Sequence, residues 1–251
     1  MDFTIEKYKQ LLAALSKHKD HVIRHDVDVS TRAALRLARV EEEFGVKSIY
    51  YFRSKHFTSR KHQGDIGEIA RMGHRIGYHY ENLAAQHGDT EKAYDDFIRN
   101  MHVLNKIAPA DTACAHGSPW SKWDSQAIWE HHDLRSAGIA YEPMLDTDFG
   151  HTLYLTDTGR RWDGHKVSIR DKVEPMQNTW NQSGLSFHST DDLIGALRQP
   201  DHPIHRLALL INAHPERWNP MGPAWIWNVI MQSCKNAIKG AVVYLRGRKK
   251  G

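Results

Sequence analysis

His21-Val22-Ile23-Arg24-His25-Asp26-Val27-Asp28 is followed, after one residue, by Ser30-Thr31-Arg32-Ala33-Ala34-Leu35-Arg36-Leu37-Ala38, and the change of pattern between the two stretches decides the fold class. The first stretch has strand length and ends in a polar cluster. The second repeats apolar residues at helical spacing, with Ala34, Leu35, Ala38 and Phe44 on one side, Ser30 as N-cap and Gly45 as stop, so a helix is predicted over 30–44. Working outward, strands are predicted at 47–53, 75–80 and 112–116, and helices at 66–72 and 90–104, the latter capped by Asp89. Strands alternating with helices build βαβ units and a parallel sheet. The chain is therefore expected to be α/β, and its 251 residues suit one (β/α) barrel domain spanning 1–251.

The region 120–184 is less regular, with Gly, Pro and Asp between short strand-like pieces at 152–156 and 166–169. It reads as later strands joined by long, function-carrying loops, or as a small inserted sheet. Order returns with a helix at 190–198, an apolar strand at 207–213 and a helix over 223–239. No repeat, low-complexity tract or linker interrupts the chain.

Hydrophobic residues make up 40% and charged residues 25% of the chain, which places it with globular proteins and not with disordered or fibrous ones. The formal net charge is +4, but Lys and Arg are spread out apart from Arg246-Gly247-Arg248-Lys249-Lys250. No basic face or aromatic-basic module points to nucleic acid. Cys114 and Cys234 lie far apart, which argues against a disulfide scaffold or a Cys-based zinc site and for a reducing compartment. Met1-Asp2-Phe3-Thr4-Ile5-Glu6-Lys7 lacks the order of a secretory signal, and no apolar run has membrane-spanning length. A cytoplasmic location is expected, where a surface glycan would be met as a precursor. The 18 His and eight Trp are the unusual counts: buried imidazoles need partners, and Trp rings suit sugars as well as cores.

The polar clusters fall where strands end: Arg24 to Asp28, then His79-Tyr80-Glu81-Asn82, His116-Gly117-Ser118-Pro119 and His214-Pro215-Glu216-Arg217-Trp218. In parallel α/β folds the strand ends carry the chemistry. Asp26 and Asp28, two apart on a strand, share one face while His25 and Val27 take the other. Two adjacent carboxylates repel unless a cation or proton is shared, and a metal would leave one as ligand and one as base. The plain reading is that one aspartate caps the next helix and the other pairs with Arg24. Asp28 and His79 fit a mixed His/carboxylate site for zinc or a similar divalent ion. His116 is the first choice of third ligand, then Glu81 and His25. His214, after an apolar strand, can donate a proton to a leaving amine, against the plain reading of a core-edge imidazole bonded to a carbonyl. Arg161, Trp162 and Trp218 are candidates for holding a sugar and its charged substituent, or else are packing and surface charge.

Gly73-His74-Arg75-Ile76-Gly77-Tyr78-His79 resembles the strand-three motif of the polysaccharide deacetylase superfamily of NodB homology type. Arg24 to Asp28 resembles its variant His-Asp-Val-Asp first motif, and 210–214 its late motif. The resemblance implies a distorted barrel of roughly seven strands, Asp26 as base, Asp28 and His79 as metal ligands, and His214 as acid. It also implies a metal-dependent, non-peptide amidohydrolase that removes an acyl group from an amino sugar or glycan precursor, in a surface-polysaccharide setting. Two departures stand out. Leu83 occupies the place of the family's second metal histidine, and 115–119 replaces its Arg-Pro motif. A non-catalytic carbohydrate-binding or assembly protein on a degenerate barrel is the alternative, and 154–162 resembles the variable substrate-binding part of such variants.

Overall fold

The computed structural model describes residues 1–117, 121–163, 171–223, 225–227 and 229–231. The strand expected at 166–169, Ser118 and Pro119 of the strand-four loop, most of the helix expected at 223–239, Cys234 and the basic tail lie outside the described residues. In chain order the elements are α1 (Ile5–Leu15), β1 (His21–Val27), α2 (Thr31–Glu43), β2 (Ile49–Phe52), α3 (Ser54–Phe57), α4 (Arg60–Arg71), β3 (Arg75–Tyr80), α5 (Asn82–Ala85), α6 (Thr90–Asn105), β4 (Ala110–Ala115), α7 (Pro143–Asp146), β5 (Thr152–Thr156), α8 (Glu174–Gln182), α9 (Thr190–Arg198) and β6 (Ala208–Asn212). Among the described residues they form an α/β fold whose six-stranded sheet has the order β4-β3-β2-β1-β6-β5, against the roughly seven strands that the resemblance implies. The pairings β1–β2, β2–β3, β3–β4 and β5–β6 are parallel. Contacts group the chain into two compact units, Arg24–Thr147 and Met1–Ile23 with Asp148–Gly251, and β1 runs through the boundary.

In the unit Arg24–Thr147 the two faces of the sheet follow the period-two alternation of strand side chains. One face is a large apolar core: Val27, Tyr50, Phe52, Tyr78, Tyr80 and Ala113 pack with Ala34 and Ala38 of α2, Ile66 and Ile69 of α4, and Phe97 and Met101 of α6. The other face carries Arg24, Asp26, Tyr51, Gly77, His79, Thr112 and Cys114, mostly polar and buried. Helix starts follow local chemistry, since Ser30 accepts the Ala33 N–H and Asp89 accepts the Lys92 N–H, as N-caps do. Gly45, at φ +67°, ends the α2 turn in the left-handed region that glycine adopts without a Cβ penalty.

Gly77 is required for a different reason. A Cβ there would lie 2.5 Å from Cδ1 of Tyr51 and 2.8 Å from Cγ2 of Thr112. The missing side chain lets the Tyr51 ring lie across β3, with its hydroxyl 2.8 Å from Thr112 Oγ1.

In the other unit, α1 starts at Thr4, whose hydroxyl accepts the Lys7 N–H, and packs with α9. Helices α1 and α8 are not among the elements that the sequence pattern predicts, and α4 starts six residues before the predicted helix at 66–72. Helix α9 opens with a reciprocal capping box between Ser189 and Asp192. Among the described residues no helix is long and apolar enough to cross a membrane.

Candidate active site

Side chains pointing to one face of adjacent parallel strands form rows, and the pairing register fixes their members. His79 of β3 pairs with Cys114 of β4, while Asp26 pairs with Tyr51 and Tyr51 with Gly77. Asp28, two residues beyond Asp26, therefore rises one row higher, level with His79. His116, two beyond Cys114, rises higher again with Glu81. Strand alternation alone thus stacks Asp26, then Asp28 and His79, then Glu81 and His116 toward the strand ends.

The result is a compact donor cluster. His79 Nε2 and His116 Nε2 each lie 3.5 Å from Asp28 Oδ1, and one donor atom from each of the three residues falls within 4.8 Å of the others. The two imidazoles stand nearly perpendicular, at 85° and 5.0 Å between centroids, so both Nε2 atoms approach the carboxylate without stacking. Each ring has a polar neighbour at its other nitrogen. His79 Nδ1 is 3.0 Å from the Cys114 carbonyl, to which it donates, and His116 Nδ1 is 3.1 Å from Glu81 Oε2. Outer-nitrogen partners of this kind fix tautomer and orientation in metal sites. Glu81 is in turn gripped by Arg53, at 3.0 Å through Nε and 2.5 Å through Nη2. Burial pushes the Glu81 carboxyl up, but His116 and Arg53 outweigh it and hold it at about 2.

Asp26 lies beneath this cluster. It is buried, 3.5 Å from the Arg24 guanidinium and 4.0 Å from His79 Nε2. Burial opposes a charge on His79, yet Asp26 and then Asp28 outweigh it and raise the imidazole well above its ordinary value. A cluster of two carboxylates that pulls a proton onto a buried imidazole is one that a cation would also satisfy. The plain reading of the aspartates is met in part: Arg24 does pair with Asp26, but Ser30, not an aspartate, caps α2.

His25 is a correction. It projects from the other side of β1, is fully buried, stacks on Tyr50 at 4.3 Å and sits 2.8 Å from Glu41 Oε1. Glu41 also accepts from Ser48 and Tyr50, a buried carboxylate kept by its donors. His25 therefore ties β1 to α2 and is no ligand in this cluster, as the parity of the strand requires. Leu83 is buried in α5 against Ala93 and Ile128.

His214 belongs to the other unit. Its Nδ1 lies 2.7 Å from Asp157 Oδ1, and its backbone N–H donates to Asp157 Oδ2 at 2.9 Å. Asp157 also accepts from Trp218 Nε1 at 2.9 Å and from Arg217. Burial raises the Asp157 carboxyl, but Arg217 and His214 prevail and hold it at about 2. The carboxylate fixes the ring and directs Nε2 the other way. In the sequence Asp157 lies within 154–162, and no motif singles it out. The signal was its place directly after β5, because Thr156 pairs with Asn212 and the next residues of both strands must meet.

Two of the three expected substrate-binding residues are corrected by their burial. Trp218 is fully buried and Trp162 nearly so; they pack together at 6.2 Å and both meet Phe3, and the Trp162 Nε1 donates to Thr190 Oγ1. Neither offers a ring face to a sugar, so both are core. Arg161 has its guanidinium engaged by Asp163 through Nε and Nη2, which fills the fork that would grip a substrate anion.

No family model matches the chain, and no curated protein matches it. Among solved structures, a family 4 carbohydrate esterase from Streptomyces lividans, in complex with acetate, is similar with 11% identity and a TM-score of 0.45, over 89% of this chain and 91% of that one. A CE4 esterase from Streptococcus mutans is similar with 13% identity and a TM-score of 0.47, over 98% and 89%. The peptidoglycan deacetylase PdaC from Bacillus subtilis is similar with 8% identity and a TM-score of 0.41, over 92% and 97%.

Proposed function

We propose that the chain is a metal-dependent hydrolase that removes an acyl group, N-acetyl first among them, from an amino sugar or glycan precursor of surface polysaccharide. The observation that carries this reading is the Asp28–His79–His116 cluster with Asp26 directly beneath it. The donor chemistry fits a divalent ion, zinc before others: two imidazoles and a carboxylate within reach of one point, each imidazole anchored behind. Asp28, His79 and His116 would hold the ion. When bound, it would polarise the acyl carbonyl.

The chain's own residues supply the rest. Asp26, between the Arg24 guanidinium and the cluster, is the base that takes a proton from the attacking water. Arg24 orients that carboxylate and balances its charge in a place closed to solvent. Glu81 and Arg53 hold His116 in its rotamer at the rim, where the side chains of Asp28 and Glu81 are 26% and 28% exposed and a substrate could enter. His214 keeps the role that the sequence resemblance implies, donor of a proton to the departing amine. Its bond to Asp157 provides the fixed ring such a donor needs.

The test is acyl release from N-acetyl and N-formyl amino sugars, free and nucleotide-linked, with metal content determined on the same protein. Release that depends on the metal supports the hydrolase. A metal-loaded protein that releases nothing from the panel but binds the sugars would move the reading to a carbohydrate-binding protein.

A further inference from the structure

Cys114 meets His79 through its carbonyl, and its sulfur sits in a second donor set. Register places Cys114 beside His79 on the polar face of the sheet. One donor atom each from Asp26, His79 and Cys114 falls within 4.8 Å of the others, and all three residues are buried. This inner triad shares His79 with the rim triad of Asp28, His79 and His116. The rim triad offers only nitrogen and oxygen, whereas the inner one adds sulfur.

A buried cysteine is usually a small apolar residue, and Cys114 does pack against Ile49 and Tyr51. Its sulfur nonetheless meets the Arg24 guanidinium, in a neighbourhood of one cation, one carboxylate and one imidazole. Burial pushes the thiol up to about 11, with Arg24 acting against that rise. A bound ion deprotonates a coordinating thiol outright.

We propose that Cys114 is a metal donor, and that Asp26, His79 and Cys114 form an inner position for thiophilic divalent ions such as zinc, cobalt or cadmium. This rests on reading the neighbouring triad as a metal centre. Coordination replaces the S–H bond by a sulfur–metal bond and releases one proton to solvent, with no change of oxidation state in ion or sulfur. Thiolate donors select soft and borderline ions over magnesium or calcium. Because the two positions share His79, whose Nδ1 is held at the Cys114 carbonyl, they exclude one another. An ion at the inner position also takes Asp26 as ligand and so removes the base. The inner triad is therefore an inhibitory position for thiophilic metals.

The experiment is cobalt(II) titration of the full chain, followed by absorption spectroscopy and equilibrium dialysis, in the wild type and in Cys114→Ser, Cys234→Ser and His116→Ala. The expected result is a near-ultraviolet sulfur-to-cobalt charge-transfer band in the wild type, in Cys234→Ser and in His116→Ala, and its loss in Cys114→Ser. Cadmium binding should weaken about 10-fold or more in Cys114→Ser, at least the loss seen when a ligand's supporting partner is removed. Cobalt bound without the band overturns the inner position and leaves the rim centre standing. A band that survives in Cys114→Ser assigns the sulfur to Cys234 and also overturns the proposal. A wild type that binds no cobalt overturns both readings. Circular dichroism of Cys114→Ser separates loss of the donor from loss of the fold, and His116→Ala keeps the test alive if that variant unfolds.

Discussion

Gly77→Ala would test the packing on which the whole cluster stands. The added methyl would lie 2.5 Å from Tyr51 Cδ1, 2.6 Å from Tyr51 Cε1 and 2.8 Å from Thr112 Cγ2, where carbon atoms pack at about 3.5–4.0 Å. The Tyr51 ring must therefore move by about 1 Å to restore that spacing. It cannot do so freely, because it is fully buried and its hydroxyl bonds Thr112 at 2.8 Å. Overpacking of this kind costs about 1–3 kcal/mol, and loss of the hydroxyl bond adds about 1 kcal/mol. The sum is about 2–4 kcal/mol, which at ordinary slopes lowers the urea midpoint by roughly 1 M or more with m unchanged. Chemical denaturation followed by fluorescence and circular dichroism is the assay. Tyr51→Leu in the Gly77→Ala background should recover part of the loss, because it removes the ring that clashes, and the double-mutant cycle should show coupling above about 0.5 kcal/mol. A Gly77→Ala midpoint within about 0.2 M of wild type, or strict additivity with Tyr51→Leu, would refute the argument that the absent Cβ makes room for the ring.

Three further outcomes are expected. His79→Ala, which removes the residue common to both donor sets, should lose divalent metal entirely and His116→Ala the ion held at the rim, while Glu81→Gln should keep the stoichiometry with weaker binding, all read by elemental analysis after dialysis; equal stoichiometry in His79→Ala would remove the assigned centre. Asp26→Asn and His214→Ala should each lower turnover by about 10²–10⁴-fold, the contribution of positioned proton transfer, with metal content nearly unchanged, and full activity in both would reject the assigned base and acid. Asp157 is held at about 2 against an ordinary 3.8, so its folded-state value is depressed and its contribution, about 2 kcal/mol, is complete above pH 3.8 and fades as pH falls toward 2. Urea midpoints across pH 2–5 should therefore fall more steeply in wild type than in Asp157→Asn, and parallel curves would count against the charge pairing.

The sequence by itself determined the local structure and the parity of side chains. The ends of α2 and the start of α6 were legible because Ser30, Gly45 and Asp89 act on backbone groups a few residues away, and such bonds depend on contiguous chain. Strands β1 to β6 were legible as runs of strand length between helical patterns, and the period-two parity of a strand put Asp26 and Asp28 on one side of β1 with His25 on the other. Helices α1 and α8 were not read, although Thr4 and Pro175 stand at their starts. The tertiary structure decided which strand ends meet. Asp157 reaches His214 only through the β5–β6 register, and Cys114 joins Asp26 only through the strand order β4-β3-β2-β1. It also decided that Trp162 and Trp218 are interior and that Arg161 is occupied by Asp163, because burial and ion pairing depend on what the rest of the chain places beside a side chain. Hydrogen bonds across a few residues are written in those residues, whereas register, strand order and burial are settled only when distant segments compete for the same partners and the same space.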